Sequence, residues 1–213
     1  MDQWPSQVIS GDNITLRCSF VPEDDYALAN IEVAWQFFSK SHWTIVYHYV
    51  NGAAQLEDQD RRFHGRAWIV PEELNEKKAS LKISSVRLTD TGEYRCIVVD
   101  NGGAATHTTY LTVLAPYSSP RLTAIYGNGT VILHCLSEGG YPQGEVMWHD
   151  GSGEQLSQSW SREYISNRFG GVDINSTVSV PLKEFSVVCC SVIHTALQQN
   201  RTACEEIKGE TLH

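Results

Sequence analysis

Two cysteine–tryptophan–cysteine units follow one another along the chain. Cys18 is followed by Trp35 and then by Asp90-Thr-Gly-Glu-Tyr-Arg-Cys96, and Cys135 is followed by Trp148 and then by Cys190. The Cys–Cys separations are 78 and 55 residues, and the Cys–Trp separations are 17 and 13. A disulfide that crosses a core between two sheets, with an indole packed on it, has this order and spacing. Its recurrence in 213 residues predicts an all-β chain of two tandem β-sandwiches. Alternation agrees. Ile14, Leu16, Cys18 and Phe20 form one inward set, Val33, Trp35 and Phe37 another, and Leu81 with Ile83 and Tyr94, Cys96 and Val98 two more.

This is the immunoglobulin pattern. The 78-residue span leaves room for two extra strands, so residues 1–115 read as a variable-type domain; the 55-residue span does not, so residues 116–213 read as constant-type. The connection is Leu114-Ala-Pro-Tyr-Ser-Ser-Pro120, where two prolines stiffen a short linker. Tyr94, two residues before Cys96, holds the tyrosine-corner position, and Arg66 is expected to pair with Asp90 at the base of the first sandwich. The Tyr141-Pro142 bond, in a turn of the second domain, is a candidate cis peptide.

Composition narrows the setting. With 41% apolar and 19% charged residues the chain can bury a core, and its net charge of −9 opposes nucleic acid or an anionic membrane as the main partner. No run of about 18 apolar residues is present and no apolar leader follows Met1, so the leader and the membrane anchor are expected outside this chain. Gly209–His213 reads as a truncation point. Asn13, Asn128, Asn175 and Asn200 all lie in glycosylation sequons and are four of only nine asparagines, which favours a secreted or cell-surface glycoprotein. The even count of six cysteines agrees.

Eight histidines and 25 carboxylates invite a search for chemistry, yet no metal-ligand, nucleophile-elbow or phosphate-loop spacing occurs. No catalytic residue, metal ligand or cofactor is expected, and the chain is not read as an enzyme. The third cysteine pair is open. Cys190 suits Cys135 by strand register, which turns Cys189 to the opposite face. A hairpin near Ala196-Leu197 then sets Cys189 opposite Cys204 for a cross-strand disulfide. Swapped pairing, or a Cys204 that links two chains, are the alternatives.

A surface remains as the functional element. Arg95, Ile97 and Val99 point outward on the strand that carries Cys96, and Glu32, Ala34, Gln36 and Phe38 outward on the strand that carries Trp35. The segment Thr44–Val50 is expected to add Val46, His48 and Val50, and the last strand His107, Thr108 and Tyr110. The result is a mixed apolar and aromatic face with few charges, the composition of a protein-binding centre. None of the four sequons falls on these strands.

Three stretches carry a family resemblance. They are His64-Gly-Arg-Ala67 with Lys78–Cys96, Gly102-Gly-Ala104 running to Ala115-Pro-Tyr117, and Gly140-Tyr-Pro-Gln-Gly-Glu-Val-Met-Trp148 with Gly151 and Leu156 behind it. The Cys189-Cys190 doublet and Leu197–Thr202 add to them. Over nearly its whole length the chain resembles the ectodomains of the B7/butyrophilin immune ligands, with different stretches resembling different members. The resemblance implies the extracellular part of a single-pass type I membrane protein. Its partner would be an immunoglobulin-domain costimulatory or coinhibitory receptor on T cells, bound through the front sheet of the first domain. Arg95 and Ile97 match contact positions of one member, while Ala34 stands where that member has an aromatic. The alternatives are a homophilic adhesion or structural protein, with a second copy of the chain as partner, and a butyrophilin-like regulator of unconventional T cells. No small-molecule substrate is implied.

Overall fold

A computed structural model describes residues 6–21, 30–182 and 185–207. Met1 and Gly209–His213, read above as ends of a longer chain, lie outside them. The chain divides into two compact units, one up to Val113 and one from Leu114.

In the first unit, β1 (Ser6–Ile9), β3 (Glu32–Ser39), β4 (His42–Val50), β5 (Ala53–Ala54), β8 (Gly92–Asp100) and β9 (Gly103–Leu114) form a six-stranded sheet. Its order is β1-β9-β8-β3-β4-β5. The facing sheet is β2 (Ile14–Leu16), β7 (Leu81–Ile83) and β6 (Ala67–Trp68), in the order β2-β7-β6. The two extra strands of a variable-type domain are β4 and β5. Period-two alternation builds the main sheet. Val33, Trp35 and Phe37 on β3 and Tyr94, Cys96 and Val98 on β8 are buried, while the residues between them stay half-exposed. Burying Val33, Phe37 and Val98 contributes roughly 1.5–3 kcal/mol each. The Trp35 indole N–H donates to the Ala79 carbonyl at 2.7 Å, so burial leaves no polar atom unpaired there. A Cys18–Cys96 disulfide joins the sheets, with Cα atoms 6.4 Å apart.

At the base of this sandwich the Arg66 guanidinium donates to both carboxylate oxygens of Asp90, at 3.0 and 3.1 Å. It also donates to the carbonyls of Arg62, Ser84 and Ser85. Asp90 is fully buried and Arg66 nearly so, which makes this an interior pair rather than a surface one. The Tyr94 hydroxyl donates to the Asp90 carbonyl at 2.8 Å. Burial raises the Tyr94 phenol well above its ordinary pKa.

In the second unit, β10 (Arg121–Tyr126), β11 (Thr130–Gly140), β14 (Val172–Pro181) and β13 (Trp160–Ser166) form one sheet in that order, and β12 (Glu145–Asp150), β15 (Val187–His194) and β16 (Gln199–Glu206) the other. A four-on-three sandwich without extra strands is the constant-type arrangement. Trp148 is fully buried and donates to Ser176 Oγ at 2.9 Å, and a Cys135–Cys190 disulfide crosses the core beside it. Cys189 and Cys204 are register partners on β15 and β16 and form the third disulfide. All six cysteines are paired, so Cys204 presents no thiol to a second chain.

The segment Gly140-Tyr-Pro-Gln-Gly144 has a packing reason. A Cβ at Gly140 would overlap the Tyr117 ring, and one at Gly144 would stand 2.8 Å from it. The Gly144 N–H donates to the Tyr117 hydroxyl at 2.9 Å. His194 Nε2 lies 3.1 Å from the Ala115 carbonyl and 2.9 Å from that of Tyr141, which fastens the start of this unit to its body. The Tyr141-Pro142 bond between them is cis.

Candidate binding face of the first domain

The residues of interest sit on the outer side of the six-stranded sheet, and the register decides which of them meet. Directly opposed residues in an antiparallel pair point to the same side. Ala34 on β3 is opposite Ile97 on β8 and His48 on β4; Gln36 is opposite Arg95 and Ile45; Glu32 is opposite Val99; Phe38 is opposite Trp43. On the far side of β8, Tyr110 is opposite Glu93 and Thr108 opposite Arg95. Glu32, Ala34, Gln36, Phe38, His48, Val50, Arg95, Ile97, Val99 and Tyr110 therefore share one face. Phe38 and Tyr110 are its most open large side chains, at 42% and 49% exposure.

Two of the expected positions are corrected. Val46 is fully buried. The β3–β4 register slips between Trp35 and Gln36, so one extra β4 residue is accommodated there and the alternation reverses. Trp43 and Ile45 face outward on one side of the slip, and His48 with Val50 on the other. His107 is opposite Cys96, the inward-pointing residue of β8, so it lies on the other side of the sheet from Ile97 and Tyr110.

The face is organised around Arg95. Its guanidinium lies 4.0 Å from the centre of the Trp43 ring, and its Nε donates to Gln36 Oε1 at 2.6 Å. Phe38 packs against the same indole with ring centres 5.2 Å apart. A ring and a neutral amide hold the guanidinium in place without offsetting its charge. On the other side of Ala34, His48 Nε2 is 2.9 Å from Glu32 Oε1. Between these two clusters lie Ala34, Ile45 and Ile97, an apolar strip whose middle residue has the smallest side chain. An apolar centre rimmed by polar groups is suited to burying area against a protein partner.

Trp43 and Ile45 were not visible as face residues in the sequence. In Thr44-Ile-Val-Tyr-His-Tyr-Val50 either parity leaves apolar residues inside, and only the cross-strand register chooses.

The sequons fall elsewhere. Asn13 lies between β1 and β2 with its Oδ1 accepting from the Ser85 N–H at 3.0 Å. Asn128 is in the β10–β11 turn, Asn175 in the middle of β14 and Asn200 near the start of β16. In the second unit Ser191 Oγ meets His149 Nε2 at 2.8 Å, but the serine is buried, shares its hydroxyl with Thr202 at 2.7 Å, and the other ring nitrogen faces a backbone carbonyl. This network ties β12, β15 and β16 together. No group of three or more His, Cys, Asp and Glu able to hold a metal occurs among the described residues.

Fold and face together define a tandem immunoglobulin protein whose first domain turns a mixed apolar and aromatic sheet face outward. Residues 2–114 match the immunoglobulin V-set domain family, and residues 118–202 match the family described as butyrophilin subfamily 3 member A2-like, Ig-C domain. The chain belongs to the immunoglobulin V-set family and within it groups with the B7 and butyrophilin proteins. It is 28% identical to a CD276 antigen homolog of Xenopus laevis over 206 residues, covering 94% of this chain and 65% of the relative. It is 30% identical to butyrophilin-like protein 2 of Mus musculus, covering 96% and 44%. It is also 30% identical to programmed cell death 1 ligand 1 of Mus musculus, covering 91% and 65%. The chain thus spans less than two thirds of the length of these relatives. Among solved structures, a chain of the complex of ICOS with ICOS-L and an anti-ICOS-L VNAR domain superimposes with a TM-score of 0.80 at 24% identity, covering 96% of this chain and all of that one. This likeness is one of fold.

Proposed function

We propose that the chain is the extracellular part of a cell-surface ligand and that it binds an immunoglobulin-domain costimulatory or coinhibitory receptor on T cells. Contact is made by the outer face of β3, β4, β8 and β9, and the chain acts by binding rather than catalysis. The observation that carries this reading is the strip of Ala34, Ile45 and Ile97 flanked by Arg95 on Trp43. The sheet's inner side already completes the core with Val33, Trp35, Phe37 and Cys96, so this outward apolar strip lies outside the core of the sandwich. The reading is supported by the relatives, one of which is itself named as a ligand.

Docking buries the apolar strip and removes Arg95 from water against a partner acceptor. Modest affinity per contact suffices between two cell surfaces, because many copies engage together. The test is a binding screen of the secreted chain against T-cell immunoglobulin-domain receptors, repeated with Ile97→Asp and Arg95→Ala. Both variants are expected to fold and to lose at least tenfold in affinity, as truncated interface centres do. Unchanged binding by both would overturn the assignment of this face. Sedimentation of the free chain separates the homophilic alternative, which requires a stable dimer.

A further inference from the structure

The outer face of the sheet β10-β11-β14-β13 carries a feature that the ligand reading leaves unused. A shallow cavity of about 550 Å³ opens there, lined by Arg121, Leu122, Thr123, His134, Leu136 and Asn175. Its centre is a single cross-strand row. Arg121 on β10 is opposite Leu136 on β11, and Leu136 is opposite Asn175 on β14. Asn175 is the unusual member of this row. An asparagine in the middle of an interior strand runs against sheet preferences, and Leu136 beside it turns an apolar side chain to the outer face.

Asn175 begins the sequon Asn175-Ser176-Thr177. Alternation sends Ser176 into the core, where it accepts from Trp148, and leaves Asn175 and Thr177 together on the outer side. Thr177 Oγ1 is 2.9 Å from His134 Nδ1, so the residues around the cavity are already held in place.

We propose that Asn175 carries an N-linked glycan whose first N-acetylglucosamine lies in this cavity, across Leu136 toward β10. This rests on the extracellular reading above. The covalent step is transfer of an oligosaccharide from a lipid-linked pyrophosphate donor. The bond between the sugar C1 and Asn175 Nδ2 forms, the bond from C1 to the pyrophosphate oxygen breaks, Nδ2 gives up one proton, and the lipid pyrophosphate leaves. It takes place on the extended chain, before β14 is enclosed between β11 and β13. N-acetylglucosamine has an apolar ring face and an acetyl methyl beside its hydroxyls and amide. The cavity matches that pattern, with Leu136 as floor and Arg121, Thr123 and His134 as polar rim. A second sequon extends the cover: Asn128 stands in the turn beside the register pair Ile125 and Ile132, which are 57% and 39% exposed. The glycans close this face to protein partners and shield its apolar side chains.

The whole chain, secreted from mammalian cells behind a leader peptide, provides the test. Glycopeptide mass spectrometry reads the occupancy of each sequon, and an endoglycosidase trims every glycan to one N-acetylglucosamine. Asn175 is expected to be occupied, with nuclear Overhauser contacts from its acetyl methyl to the Leu136 methyls. The trimmed protein should keep its melting temperature, while Asn175→Gln, trimmed alike, melts lower by several degrees, on the order of 4 °C. Thr177→Ser, which keeps the sequon, should behave as the parent. A bare Asn175 with the other sequons occupied overturns this proposal alone, whereas no glycan anywhere overturns the extracellular reading with it. An occupied Asn175 without contacts to Leu136, or equal melting of the trimmed parent and Asn175→Gln, also overturns the seat. If Asn175→Gln is not secreted, the contacts to Leu136 decide.

Discussion

Two carboxylates illustrate how much a residue's surroundings determine its weight. Asp90 is completely buried and receives two N–H groups from Arg66 and one from the Arg87 backbone. Removing one partner of such a pair leaves an uncompensated buried charge, so Arg66→Ala is expected to cost about 3–5 kcal/mol in urea unfolding. Asp60 is less enclosed. Its oxygens accept from the side chain and backbone N–H of Arg62 at 2.7–3.2 Å, and the side-chain bond to Arg62 lowers its pKa to about 2. The sign follows from linkage. A carboxylate depressed in the folded state contributes stability above its ordinary pKa and loses it as pH falls through the folded value. Stability of the first domain should therefore drop between about pH 4 and pH 2, and Asp60→Asn should remove part of that slope in acid titrations followed by circular dichroism. Arg62 also lies over the Phe37 ring at 4.7 Å, so the pair braces the edge of the core beneath the candidate face.

At the scale of elements, β4 and β11 show opposite uses of irregularity. The slip in β4 turns Val46 inward and brings Trp43 and Ile45 to the surface where Arg95 can stack. In β11 the strand ends at Gly140, where the absent side chain admits the Tyr117 ring. Gly140→Ala forces that ring outward from its position against His194, whose ring centre is 5.8 Å away. Overpacking of this kind costs about 1–3 kcal/mol, which differential scanning calorimetry of the variant will register as a lower transition for the second domain. The motif Gly140–Trp148, which carries much of the family resemblance, is thus in large part a packing motif.

At the scale of the whole molecule, each unit holds its own core. The first is centred on Trp35 and Tyr94, the second on Trp148 and Ile174, and each has its own inter-sheet disulfide. Damage to one core should stay local. Leu133→Ala, at a fully buried site of the second unit, is expected to cost about 2–5 kcal/mol there. Amide-exchange protection in β3 and β8 should be unchanged, and a loss of protection there would mean that the units unfold together. The candidate face thus belongs to the first domain, while the second carries sequons on both of its sheets.

What was legible in the sequence is whatever depends on short spacing. The cysteine–tryptophan frame announces two sandwiches, the spans distinguish a domain with extra strands from one without, and simple alternation along β3 and β8 identifies Ala34, Gln36, Arg95 and Ile97 as outward. These follow from the geometry of a single strand, in which parity alone assigns a face. Only the tertiary structure decided the rest, because it depends on partners distant in the chain. The slip against β3 turned Val46 inward and Trp43 outward. The β8–β9 register put His107 on the side away from Tyr110. The sandwich base made Arg66–Asp90 an interior pair, and the β15–β16 register set Cys189 against Cys204. In each case the same local sequence permits two arrangements, and the cross-strand neighbour selects one.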